Sequence, residues 1–161
     1  MGEKSKEINV YIGAACNKFA IDNINNLITL LKIRLQSASS SKTNDADGNI
    51  SYQDCDIFSI NELAAFLSLS LSEFNSTPSF TNFSFDEHRV LEFRDIIVEG
   101  AYIKALASKS LTEKGREFKF NDGGISYYPP QLAEFLSYHV CTLLPDYREK
   151  LKFIKAEFKK A

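Results

Sequence analysis

Apolar residues recur along this chain at two periods, and the change from one to the other is its main feature. Ile21, Ile24, Ile28, Leu31 and Leu35 step by three and four, which predicts an amphipathic helix over about 17–36. The series Ile60, Leu63, Ala64, Leu67, Leu71 and Phe74 predicts a second helix. Its start is marked by Ser59-Ile60-Asn61-Glu62, a capping box with Phe58 and Leu63 placed as a hydrophobic staple, and Asn75-Ser76-Thr77-Pro78 is its stop. Ser84-Phe85-Asp86-Glu87 reads as another capping box, opening a long third helix over about 85–114 that carries Phe93, Ile96, Ile97, Ile103, Leu106 and Leu111. The middle of that helix is apolar on more than one side, as a central helix must be, and Gly100-Ala101 leaves a neighbour room to approach. Gly115 supplies its C-terminal stop. A fourth helix enters at Pro129-Pro130 and places Leu132, Leu136, Val140, Leu143, Tyr147, Leu151, Ile154 and Phe158 on one face. Pro145 is expected to break or kink it.

Between the last two helices the period falls to two. In "GREFKFNDGGISYYPP", Asp122-Gly123 is a type I′ turn signal that sets Phe120 opposite Ile125 and Phe118 opposite Tyr127. Phe118, Phe120, Ile125 and Tyr127 then share one face, while Glu117, Lys119, Ser126 and Tyr128 share the other. The expected fold is mainly α, one domain over 1–161: a bundle of about four helices with a β-hairpin at 117–128 inserted between the third and fourth. A flexible N-terminus at about 1–8 and a long polar loop at 37–57 complete it. A lone hairpin is marginal in water and leaves both backbone edges open. Its apolar face packs on the chain's own helices, or its edges pair with another copy or another protein by strand addition, and the two are compatible.

Composition narrows the classes. A chain of 161 residues, 44% hydrophobic and 25% charged, can bury a core of its own. A net charge of −2 advertises neither nucleic acid nor a membrane surface through bulk electrostatics. Cys16, Cys55 and Cys141 show no metal spacing and no disulfide density, which suits a reducing intracellular setting. The opening "MGEKSKEINVYIG" has too short an apolar run for a signal sequence or a span, so the expectation is a soluble chain without a membrane.

Candidate chemistry is thin. Residues 43–54, "TNDADGNISYQD", approach a calcium loop, with Asp45, Asp47, Gly48, Ile50 and Ser51 at matching positions, but Thr43 and Asp54 occupy the first and last anchors. A polar turn rich in Asp and Gly accounts for the same letters. His88 and His139 stand on different helices, and no spacing resembles a triad or metal motif. Glu99 lies in the apolar middle of the third helix, where a carboxylate is buried or, as a lone acid more often does, faces solvent or pairs locally. Lys150, Lys152, Lys155, Lys159 and Lys160 form a basic tail that reads as a solvated helix end. The expectation is no enzyme, no catalytic residue, no metal and no cofactor.

The order of elements, and above all "EGAYIKALASKSLTEKGREFKFNDGGISYYPPQLAEFL", resembles the small helical head-to-tail connector (adaptor, neck) proteins of tailed bacteriophages, which carry an "EG…AL…L.EKGREF…D.G…PP" pattern. The likeness spans about residues 20–158, with weaker signatures in the first two helices. The polar 37–57 loop and Pro145 depart from it. The resemblance implies a virion structural protein, made in the host cytoplasm and placed at the head–tail interface. There it would form a ring homo-oligomer, dodecameric by that likeness, docked on the portal protein and facing the next neck or tail protein. Double-stranded DNA would pass through its channel without sequence readout. On this reading Phe118, Phe120, Asp122, Gly123, Ile125, Tyr127 and Tyr128 form the partner-binding hairpin. The alternative is a soluble intracellular helical module with a weak calcium or ligand site at 43–54.

Overall fold

A computed structural model describes residues 18–39, 41–44, 50–53, 57–117 and 132–158. The chain is mainly helical: α1 (Lys18–Ser39), α2 (Ile60–Ser76), the single turn α3 (Arg89–Glu92), α4 (Arg94–Glu117) and α5 (Leu132–Phe158). A short antiparallel ladder, β1 (Ser41–Asn44) with β2 (Ile50–Gln53), pairs Ser41 with Gln53 and Asn44 with Ile50 inside the stretch expected to be a polar loop. No apolar alternation announces that pairing in the sequence, because backbone groups alone can make it.

Helix α4 is central and touches α1, α2, α3 and α5. Ile96, Ile97, Val98, Ala101, Tyr102, Ile103, Ala105 and Leu106 are all buried, so from Ile96 onward apolar residues face several neighbours at once. From α1 come Ile24, Leu27, Leu31 and Leu35, and from α2 come Leu63, Leu67, Leu71 and Phe74. The α2 capping box is intact. Glu62 N donates to Ser59 Oγ at 3.3 Å, Ser59 N donates to Glu62 Oε2 at 2.8 Å, and Phe58 and Leu63 are buried beside it.

Four expectations need correction. The third helix does not run from residue 85. Half of the expected capping box forms, the Ser84 amide donating to Glu87 Oε1 at 3.3 Å, but the Ser84 hydroxyl bonds Asp86 rather than the Glu87 amide, and the Phe85 carbonyl accepts from the buried Asn23 side chain at 2.8 Å. Residues 87–93 therefore close i→i−3 bonds (Glu87 to Ser84, Val90 to Glu87, Leu91 to His88, Phe93 to Val90) before α4 begins. Gly115 does not stop α4, which continues to Glu117. Glu117 is thus helical and not the first hairpin residue, and the described residues lend no support to a hairpin between α4 and α5. The remainder of that expected hairpin, with Phe118, Phe120, Asp122, Gly123, Ile125, Tyr127 and Tyr128, lies outside the described residues, as do 1–8. Pro145 does not break α5, which passes through it. Pro145 and Cys141, whose carbonyl loses its helical donor, are both exposed, so water can satisfy that carbonyl.

Candidate functional site

The long helix α5 has an inner and an outer face. Tyr147 and Leu151 are buried, and Leu136, Val140, Leu143, Ile154 and Phe158 pack against the core as their spacing predicts. Leu132 departs from that series: it is 43% exposed. Outside that packed stripe stand Phe135 at 63%, Tyr138 at 74% and Phe153 at 70% exposure. Phe135 and Phe153 are eighteen residues apart, about five turns or about 27 Å, and share one azimuth. Leu111, expected in the core of the third helix, is instead 72% exposed on α4. His139 steadies the upper end of this face. Its ring stacks on Phe135 with centroids 6.2 Å apart and meets Tyr102 edge-on at 6.5 Å.

At the lower end an open groove runs between α4 and α5. Ile96, Ile154 and Phe153 make its apolar surface, and Asp95 and Glu149 stand on its rim. Lys150 Nζ donates to both Glu99 carboxylate oxygens, at 2.9 and 3.2 Å, and closes the groove with a charge pair. Glu99 is buried and pairs with Lys150, 51 positions away on α5, rather than facing solvent or pairing locally.

Behind this face the bundle holds a polar seam. Tyr147, 1% exposed, sits where Gly100 lacks a side chain; a Cβ there would fall 2.5 Å from the phenol oxygen and closer still to Ser70 Oγ. Ser70 donates to the Ile97 carbonyl at 2.7 Å, and Lys104 pairs with Glu73 beside the Tyr147 ring. Burial, with a smaller push from the Glu73 charge, raises the Tyr147 phenol to about 12; its hydrogen bond with Ser70 pulls slightly the other way, and Glu99 adds a further push upward. Tyr102 is also raised, by burial first, with the Arg34 guanidinium over its ring opposing.

Lys155 overturns the reading of the basic tail as wholly solvated. It is fully buried. Its ammonium lies 4.5 Å from the Phe74 ring centre and 5.5 Å from that of Phe158, inside a cluster completed by Phe83 and Phe93. It donates to Thr81 Oγ1 at 2.7 Å, and burial lowers its pKa. Thr81 in turn donates to Asn75 Oδ1 at 2.9 Å, while Asn75 exchanges two bonds with the Phe83 backbone at 2.8 and 3.0 Å. The segment after α2 is thus tied to the end of α5. Tyr147 and Lys155 are too buried to touch a substrate, so their chemistry serves packing.

Sequence reasoning saw the inner face of α5, but missed the distant partner of Glu99, the outer aromatic face and the caged lysine. The aromatic letters were legible at 135, 138 and 153; which side they occupied depends on where α4 packs. Among the described residues no three His, Cys, Asp or Glu side chains gather as a metal site, and no helix is long and apolar enough to cross a membrane. No protein-family model matches the chain, and no curated protein or solved structure is similar to it.

Proposed function

We propose that this chain is a non-enzymatic assembly subunit: a head-to-tail connector of a tailed bacteriophage that packs into a ring with copies of itself on the portal. The observation that supports this reading most is the outer face of α5, where Phe135, Tyr138 and Phe153 stand in water along about 27 Å of one helix. Large aromatics exposed together on one element are the composition of a protein contact, since each offers a large apolar area at a small entropic cost. The sequence resemblance to phage connectors supplies the kind of assembly, and a ring is the closed form of a heterologous contact between identical chains. The stretch 118–128, outside the described residues, belongs to this proposal on sequence grounds alone as a further contact, whose expected open edges would serve a sister subunit, the portal or the next neck protein.

Light scattering on the purified chain, alone and with portal protein, tests the reading, together with mass spectrometry of purified virions. A ring, or a monomer that becomes one on the portal, and a stoichiometric virion component are the expected results. A chain that stays monomeric under both conditions and is absent from virions overturns the proposal.

A further inference from the structure

Phe80 is 78% exposed at the tip of the segment joining α2 to α3, and that segment is not left loose. Thr81 N donates to the Asn75 carbonyl at 3.1 Å, the Asn75 side chain holds Thr81 and both backbone groups of Phe83, and the buried Lys155 holds Thr81 from the other side. A buried cation and a doubly bonded asparagine thus fix the backbone next to an aromatic ring that touches water. Such a ring is preorganised for a partner, because the ordering cost has already been met in the free chain.

The groove between α4 and α5 is its counterpart. Ile96, Ile154 and Phe153 offer an apolar surface open to solvent. Phe153 and Lys155 are two residues apart on α5, about 200° around the helix, so the groove and the Lys155-anchored segment lie on opposite flanks. One copy cannot close its own groove in that arrangement, whereas copies related head to tail can do so repeatedly. Charge agrees. Arg89, exposed, stands 6.0 Å over the Phe83 ring beside the projecting segment, while Glu149 edges the groove, where Asp95 is met by Arg94 at 3.7 Å and Lys150 is turned to Glu99.

We infer that Phe80 of one copy docks in the Ile96–Phe153–Ile154 groove of the next, with Arg89 facing Glu149. This rests on the self-assembly reading above and names its contact. Its test uses the full chain carrying photoreactive p-benzoylphenylalanine at position 80, irradiated at high concentration, with the cross-linked peptides mapped by mass spectrometry. Cross-links to 95–99 or 149–154 of a second copy are the expected result. Phe80→Ala should then weaken self-association tenfold or more with an unchanged melting temperature. Cross-links to another surface of the second copy, or none in a chain that still assembles, overturn this contact and leave the connector reading standing. A chain that is monomeric at every concentration, with and without portal, overturns both.

Discussion

Gly100 and Tyr147 show how one atom sets the spacing of the bundle. The missing Cβ at Gly100 is what lets the Tyr147 hydroxyl and Ser70 meet against α4. Gly100→Ala should therefore cost about 1–3 kcal/mol through overpacking, even though alanine favours helix, and thermal denaturation would show it as a lowered melting temperature. Tyr147 also carries a pH signature. Its phenol ionises at about 12 in the folded chain and near 10 when unfolded. Below pH 10 both states hold the proton and the full stability is present. As the pH rises from 10 through 12 the unfolded state loses its proton first, so stability falls, by about 2–3 kcal/mol at the upper end. Urea midpoints of the wild type should drop faster over that window than those of Tyr147→Phe.

At the scale of elements, the segment after α2 and the last turns of α5 stand or fall together. Asn75→Ala removes the acceptor for Thr81 and both bonds to the Phe83 backbone. It should cost about 2 kcal/mol and speed proteolysis at 78–83, read by chemical denaturation and limited digestion. Lys155→Met should do the reverse. Methionine fills the same phenylalanine cluster without a desolvated charge, and Thr81 keeps its bond to Asn75. A gain of about 1 kcal/mol is expected at pH 7. Because burial lowers the folded pKa of Lys155, the penalty it removes is present at low pH and fades as pH climbs towards the unfolded value. The advantage of Lys155→Met should shrink accordingly, and equilibrium unfolding at pH 7 and pH 10 measures both.

At the scale of the whole molecule, the assembly proposed above predicts that stability and self-association depend on different faces. Phe135 and Tyr138 contribute little burial to the bundle, so replacing both with Ser should leave the melting temperature within about 2 °C. The same pair should sharply reduce the mass of the assembled species in light scattering, and a parallel loss of stability and assembly would show that the face belongs to the core instead. Within one chain the helices pack around α4, and the aromatics of the outer face of α5 and Phe80 stand outside that packing among the exposed large hydrophobic residues.

The sequence by itself determined the mainly helical class, the inner faces of α1, α2 and α5, the α2 capping box and the central place of α4. These depend on periodicity and on bonds between residues three or four apart, which the order of letters encodes directly. Only the tertiary structure decided the break at residues 85–93, the burial of Lys155 and the exposure of Leu111, Phe135, Tyr138 and Phe153. Asn23 reaches Phe85 across 62 positions and Lys155 reaches Thr81 across 74. Contacts of that range leave no local pattern. A lysine near a chain end looks solvated, and an aromatic on a helix looks buried, until the packing partner is in place.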